Sequence, residues 1–186
     1  MTSAEKLAKN AAANEAYIQQ HYSKEIFISD IPKPLSTNKY IKGLVIPKNV
    51  KMAISRLPTS REQREVLRKE LRQAEILAKM GNSVYLIPEH HVHGQRLKDA
   101  IVNGIIYEFR TVGGNVNTLE WHFKDVKKRK GADTNLFVNI TGNITRNEAT
   151  HIFGKILRRK LEYSGKIVIS FNEGRDTYFW DSNSLR

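Results

Sequence analysis

The length, composition and charge of this chain exclude membrane-spanning and disulfide-stapled proteins. Its 186 residues suffice for one domain with a sizeable core, and its formal charge of +12 at pH 7 favours a polyanionic partner, either nucleic acid or an anionic membrane surface. No apolar run approaches the roughly 18 residues that a membrane span needs. The chain has no cysteine, so any metal must be held by carboxylate, carbonyl or imidazole groups. These ligands suit Mg²⁺ or Mn²⁺ better than Zn²⁺.

Residues 1–59 are predicted to form an N-terminal arm and linker. The Ala-rich residues 1–20 predict a short helix, and the four prolines that follow argue against further long helices: Pro32, Pro34, Pro47 and Pro58. One or two short strands are expected, around 25–29 and 43–46. The N-terminus also lacks the uninterrupted apolar stretch of a signal peptide.

Residues 60–186 carry denser and better delimited elements. Ser60 and Gln63 form a capping-box pattern, and apolar residues recur at helical spacing until Gly81, which predicts a helix over 61–80. The further predicted elements are strands 83–87, 99–103 and 105–112, helix 117–130, strand 135–140, helix 146–162, and strands 166–171 and 177–180. This αβββαβ order, followed by αβ and a terminal strand, predicts an α/β fold with a mixed central sheet and flanking helices.

The predicted hairpin 99–112 carries the most informative polar residues. The pair Asn103-Gly104 between two β-branched runs is typical of a two-residue turn. That turn folds Glu108 and Arg110 back toward Asp99, and two carboxylates beside a cation can bind a metal and face a phosphate. The simpler alternative is that Asp99 caps a strand while Glu108 and Arg110 form an exposed cross-strand pair.

The order of helix, three-strand meander, crossover helix and fourth strand in residues 61–140 resembles the core of the PD-(D/E)XK nuclease superfamily. The segments Ala74–Gly81 and Val84–Glu89, together with the hairpin, look like the C-terminal toxin domains of contact-dependent growth inhibition and polymorphic toxin systems. Those toxins include members that cleave tRNA and members that cleave DNA. The resemblance covers roughly 60–175 and implies a restriction-endonuclease-like core.

The resemblance also implies catalytic roles. By position, Asp99 and Glu108 are the two acids of the family motif, and Arg110 stands where the family has a lysine. A third carboxylate from the first helix is expected, with Glu75 the first choice and Glu70 the second. Glu75, Asp99 and Glu108 would hold Mg²⁺ or Mn²⁺, and Arg110 would stabilise the phosphorane. Because an arginine does not readily release its proton, Arg110 implies a tolerated variant, a weakened enzyme or an inactivated copy.

Two basic clusters indicate a surface for a nucleic-acid backbone. The predicted contacts are Lys124, Lys127, Lys128 and Lys130 in the crossover helix, and Arg158 and Arg159, beside Lys155 and Lys160, in the next. The alternative for each cluster is a solvated helix face with cations at the negative end of the dipole. Five aromatic residues have spacings that fit core packing and are assigned no base-stacking role: Tyr107, Phe109, Trp121, Phe123 and Phe137.

Histidines offer a different chemistry. His90, His91 and His93 lie in a polar loop and are expected to contact substrate, if they act at all. His122 and His151 are single helical histidines, either of which can serve as general acid or base in a metal-independent ribonuclease. The simpler alternative for every one of them is a solvated polar side chain without a chemical role.

The leading hypothesis is a metal-dependent, toxin-type nuclease that acts on RNA, with tRNA preferred over DNA on the resemblance alone. Such a toxin implies a cognate immunity protein that is acidic where it covers the cleft. It also implies action in the bacterial cytoplasm after delivery as the C-terminal part of a secreted toxin. The alternatives are a metal-independent ribonuclease of the barnase and colicin type, and a non-catalytic nucleic-acid-binding protein with the same fold.

Overall fold

A computed structural model of the chain describes residues 2–88, 98–158, 163–171 and 176–180. The chain divides into two compact units, of which unit 1 comprises residues 1–91 and 99–106 and unit 2 comprises residues 92–98 and 107–186. The predicted boundary at 59/60 falls inside unit 1, and the roles assigned to its two sides remain predictions. No helix among the described residues is long and apolar enough to cross a membrane.

Unit 1 contains a mixed sheet and two long helices. Its elements are α1 (Ser3–Tyr22), β1 (Phe27–Ile28), β2 (Val50–Ala53), a 3₁₀ turn (Ile54–Arg56), α2 (Arg61–Lys79), β3 (Val84–Leu86) and β4 (Ala100–Val102). Strand β1 pairs antiparallel with β2, β2 pairs parallel with β3, and β3 pairs antiparallel with β4. The helices predicted over 1–20 and 61–80 are thereby confirmed.

Local capping sets where the two helices of unit 1 begin. The Thr2 hydroxyl accepts from the Glu5 amide while the Glu5 carboxylate accepts from the Thr2 amide, which starts α1. The Ser60 hydroxyl accepts from the Gln63 amide at 3.1 Å, which starts α2. Near its C-terminal end, α1 buries Ile18 in a small core with Tyr85, Ile87 and Ile101 of the sheet region.

One predicted strand is wrong. Residues 43–46 form a turn and an irregular segment, with Gly43 at φ +81°, and the strand lies later, at Val50–Ala53. It begins directly after Asn49, which has the positive φ of +64° that asparagine tolerates. The sequence of β2 does not show the polar-apolar alternation of a half-buried strand. Three of its four residues are buried, and only Lys51 is exposed.

Unit 2 is built on parallel strands. Strand β5 (Ile105–Val112) starts in unit 1 and continues here, followed by α3 (Val116–Lys130), β6 (Asn135–Ile140), α4 (Arg146–Arg158), β7 (Ile167–Phe171) and β8 (Asp176–Trp180). Strands β5, β6 and β7 pair parallel, and β8 pairs antiparallel with β7. The α/β fold class and its αβββαβ order are confirmed; residues 159–162 of the predicted fourth helix lie outside the described residues.

The hairpin turn takes the backbone form that its sequence predicts. Asn103 has φ +49° and Gly104 has φ +86°, and positive values at both positions are what a type I′ turn requires. The Asn103 side chain adds two hydrogen bonds. Its Oδ1 accepts from the Ser83 amide at 2.8 Å, and its Nδ2 donates to Asn82 Oδ1 at 2.6 Å. The turn is therefore anchored to the segment that precedes β3.

Side-chain alternation on β5 determines which face of unit 2 receives its charged residues. The core shared by α3, α4 and the sheet includes Leu136 and Val138 of β6. In register, Glu108 lies opposite Leu136 and Arg110 opposite Val138, so Glu108 and Arg110 point to the helix-covered face. Phe109, between them, points to the other face, where its ring packs edge-on against Phe137 at 5.6 Å.

Candidate active site

The predicted pair lies between β5 and α3, where Glu108 is buried and Arg110 is partly buried. Arg110 Nη2 lies 3.3 Å from Glu108 Oε1, and the side chains are 17% and 7% exposed. On its other side, Arg110 Nη1 lies 3.1 Å from Asp125 Oδ2 of α3. The alternative of an exposed cross-strand pair is thus wrong, because α3 covers this part of the sheet and supplies a second carboxylate.

Two further cations from the last turn of α3 join these residues. Lys130 Nζ lies 3.8 Å from Glu108 Oε2, and Arg129 Nη1 lies 3.8 Å from Asp125 Oδ2. We call this group the Arg110 cluster; it consists of Glu108, Arg110, Asp125, Arg129 and Lys130. Three cations against two carboxylates leave a net positive charge, and this charge suits a phosphate.

His122 lies beside the Arg110 cluster. It precedes Asp125 by three residues on α3, a spacing that puts both side chains on one face of the helix. Partial burial and the positive charge of Arg110 lower the pKa of the imidazole, and the smaller opposing influence of Asp125 does not reverse this. Its Nδ1 atom is buried and has no hydrogen-bond partner among the described residues. A neutral imidazole in this position is able to accept a proton.

Asp99 is held by an arginine that the sequence did not reveal as a site residue. The Arg56 side chain in unit 1 is only 2% exposed. Its Nη2 donates to the Asp99 carbonyl at 3.0 Å and lies 3.9 Å from Asp99 Oδ1. The same guanidinium donates to the Ile87 carbonyl and forms an ion pair with Glu70 of α2. Arg56 lies in the short 3₁₀ turn and belongs to no helical or strand pattern, so the sequence did not indicate that its side chain is buried.

The structure favours Glu70 over Glu75 as the helix carboxylate associated with Asp99. Glu70 shares Arg56 with Asp99, whereas Glu75 forms ion pairs with Arg72 and Lys79, both at 3.0 Å. Lys79 chiefly, and Arg72 in addition, lower the pKa of Glu75. Five residues of helix rotate a side chain by about 140°, so Glu75 leaves the face that carries Glu70.

The carboxylates predicted to hold a divalent metal are engaged by cations instead. Among the described residues, no group of three or more His, Cys, Asp or Glu side chains is placed to hold a metal ion. Glu75 is paired with Lys79, Asp99 with Arg56, and Glu108 with Arg110. A Mg²⁺ or Mn²⁺ ion bound by any of these carboxylates would have to displace the cation that is paired with it.

The predicted nucleic-acid contacts differ in their surroundings. Lys124 pairs with Glu120 at 3.3 Å, and Lys155 of α4 approaches the same carboxylate at 3.4 Å. Within the described part of the chain, Lys127 and Lys128 form no ion pair. Lys130 belongs to the Arg110 cluster. The side chain of Arg158, the residues Arg159 and Lys160, and the loop histidines His90, His91 and His93 lie outside the described residues.

Comparisons with known proteins give one structural neighbour. No protein family and no curated protein matches the sequence. The fold is similar to a chain of the CdiA-CT/CdiI toxin and immunity complex from Burkholderia pseudomallei, with a TM-score of 0.51 and 21% sequence identity. The match covers 67% of this chain and 90% of the other. This chain therefore shares its α/β fold with a chain of a toxin and immunity complex.

Proposed function

We propose that this chain is a toxin-type nuclease domain that cleaves RNA phosphodiester bonds at the Arg110 cluster. The observation that carries the proposal is the pair of the buried Glu108 and the partly buried Arg110, which Asp125 and Lys130 also contact. The net charge of +12 suits a polyanionic substrate. The shared fold with a toxin and immunity complex supports the toxin character, and the sequence resemblance makes tRNA the first substrate to test.

Arg110 is the residue we expect to act on the reacting phosphate. Cleavage builds negative charge on the phosphorane oxygens, and a fixed cation offsets that charge without having to reorient. Glu108 and Asp125 contact the guanidinium from two sides, at 3.3 and 3.1 Å, and so restrict its orientation. Removing one such stabilising group typically lowers kcat by about 10²–10³.

The metal dependence implied by the motif is a separate proposal. The motif implies that its carboxylates would hold Mg²⁺ or Mn²⁺, and a bound ion would activate a water molecule and polarise the phosphate. Because these carboxylates are ion-paired in the structure, we derive no catalytic step through the ion. Chelation by EDTA tests this proposal directly.

The position of His122 favours a second candidate function, that of a metal-independent ribonuclease. Its neutral imidazole lies where Arg110 influences its pKa. In this mechanism His122 takes the proton of a ribose 2′-hydroxyl, the 2′ oxygen bonds to phosphorus, the bond from phosphorus to the 5′ oxygen breaks, and the 5′ oxygen takes a proton from water. Arg110 offsets the charge of the phosphorane. DNA has no 2′-hydroxyl and would not be cleaved.

A partner protein belongs to the proposed function. Toxins of the kind that the sequence resembles are paired with immunity proteins, and we propose that the partner of this chain has an acidic contact surface. Charge complementarity is the reason, since a partner that covers the Arg110 cluster and the α3 lysines meets predominantly positive side chains.

The test is cleavage of total tRNA and plasmid DNA by the purified chain in Mg²⁺, in Mn²⁺ or in EDTA, with the variants Glu108→Gln, Arg110→Gln and Arg110→Lys. We expect tRNA cleavage that Arg110→Gln lowers at least 100-fold. Glu75→Gln is the matched control and should cleave like the unaltered chain, because Glu75 lies apart from the helix carboxylate that contacts Arg56.

Each outcome separates the candidates. Loss of cleavage in EDTA supports the metal-dependent mechanism, and cleavage of tRNA alone in EDTA supports the His122 mechanism. Activity found only in Arg110→Lys identifies an inactivated nuclease. Binding of tRNA without cleavage by any variant would overturn the proposed activity and leave a nucleic-acid-binding protein.

A further inference from the structure

Helix α3 exposes a tryptophan that its sequence spacing placed in the core. Trp121 is 57% exposed, whereas the other four aromatic residues assigned to the core are buried. The Trp121 ring meets the His122 imidazole edge-on, with the ring centroids 5.1 Å apart. The expectation of a core position is wrong because Leu119, Phe123 and Val126 already form the buried side of α3, and Trp121 lies away from that side.

Exposed lysines follow Trp121 along the same side of α3. Lys124 and Lys128 come three and seven residues after Trp121, the spacing of side chains that lie in one stripe on a helix. Lys124 is 61% exposed and forms an ion pair with Glu120. Lys128 is exposed and forms no ion pair among the residues that the structure describes. We call these three residues the Trp121 stripe.

We propose that the Trp121 stripe binds an unpaired segment of RNA, with Trp121 stacked on a base and the two lysines on the backbone phosphates. This inference rests on the proposed function and names the part of the substrate that α3 recognises. A planar apolar ring followed by cations matches the alternation of base and phosphate in a nucleotide chain, and aromatic stacking with a positive track is how proteins bind single strands.

A single strand fits the stripe better than a duplex does. In a duplex the faces of the bases are covered by their neighbours, so an exposed indole has no base face to stack on. The stripe also adjoins His122, whose imidazole lies with its ring centroid 5.1 Å from that of Trp121, and Arg110 is near enough to His122 to lower its pKa.

The primary experiment measures binding separately from cleavage. All variants carry Glu108→Gln, and their affinities for a labelled oligouridine and for a blunt RNA duplex are measured by fluorescence anisotropy. We expect Trp121→Ala to weaken oligouridine binding roughly 5- to 150-fold, the range for loss of one base–aromatic stack, and Trp121→Phe to weaken it less. Val66→Ala, at an exposed apolar residue of α2, is the control and should bind unchanged.

A second measurement reports on the indole itself. The chain has two tryptophans, so Trp180→Phe leaves Trp121 as the one emitter. Oligouridine should quench its fluorescence with the same Kd that anisotropy gives, and the duplex should quench it less. Unchanged affinity in Trp121→Ala, or equal quenching by duplex and single strand, would overturn the inference. Because these assays do not depend on turnover, failure to cleave tRNA would count against the proposed function alone.

Discussion

At the scale of single residues, Arg110 is the position on which the proposed activity depends. Its place in the motif raised the question whether an arginine can replace a lysine, since it cannot serve as a base. The structure shows a guanidinium contacted on both sides, by Glu108 and by Asp125. A lysine has no planar fork and does not reproduce both contacts in the same way. A fixed positive charge is therefore the role that we propose for Arg110, and the proposed reaction takes its proton acceptor from another residue.

His122 provides the first prediction at this scale. If it is the base, kcat/KM requires its neutral form, and the lowered pKa keeps that form dominant below the ordinary histidine pKa of about 6.5. Activity should thus stay near its plateau as pH falls to about 6.5 and decline only at lower pH. His122→Gln should lower kcat by about 10²–10⁴. The measurement is the pH profile of kcat/KM between pH 4.5 and 8 in EDTA.

The charges of Arg110 and Asp125 provide a second test of whether His122 is the base. Arg110 lowers the pKa of His122 and Asp125 raises it. Asp125→Asn should therefore shift the inflection of the profile to lower pH, and Arg110→Gln, assayed for its residual activity, should shift it to higher pH. An inflection that stays in place in both variants would show that another group titrates.

At the scale of elements, the Arg56 side chain connects several segments of unit 1. From the turn after β2 it contacts the Ile87 carbonyl after β3, Glu70 of α2 and Asp99 before β4. Each contact joins segments that are distant in the chain, and the guanidinium is almost fully buried. Whatever Asp99 does, its position relative to α2 depends on this one side chain.

The corresponding prediction concerns stability. Arg56→Met leaves the Glu70 carboxylate buried without its cation, and breaking a buried pair in this way costs about 3–5 kcal/mol of unfolding free energy. The double variant Arg56→Met with Glu70→Leu removes both charges and should be more stable than Arg56→Met alone. Urea denaturation of the two single variants and the double variant measures the coupling. Additive losses would contradict the ion pair seen between these residues.

At the scale of the whole molecule, the positive charge is the property most directly linked to the proposed substrate. One fold hosts many activities, so the fold shared with a toxin and immunity complex does not itself identify the substrate. The +12 charge adds a long-range attraction to polyanions. Lys127 and Lys128, which form no ion pair within the described residues, are well suited to contact phosphates.

The positive charge of the chain predicts that its affinity for tRNA depends on salt concentration. Affinity for tRNA should fall steeply between 50 and 200 mM salt, because each neutralised phosphate releases counterions. Lys127→Gln with Lys128→Gln should reduce the magnitude of the slope of log K against log salt concentration by about 1.4–1.8. Filter binding over that range gives the slope, with Lys33→Gln as a control from unit 1. An unchanged slope in the double variant would exclude these lysines from the interface.

The local elements were predictable from the sequence because their determinants lie within a few residues of one another. Ser60 and Gln63 begin α2, Asn103-Gly104 makes the turn, and β6 has the predicted bounds. Where local signals were weak, prediction was wrong: β2, with only Lys51 exposed, was placed at 43–46. The motif residues Asp99, Glu108 and Arg110 were found by the same local logic, and their catalytic roles remain predictions.

The sequence by itself thus determined the α/β element order, the basic character of the chain and the position of the motif on β5. Only the tertiary structure decided which charges meet. Asp125 and Lys130 reach Arg110 and Glu108 because α3 packs on that face of the sheet, and Arg56 reaches Asp99 across 43 residues of chain. The exposure of Trp121 was decided in the same way, by the rotation of α3 about its axis. Such contacts join residues with no shared local pattern, so they follow from packing alone.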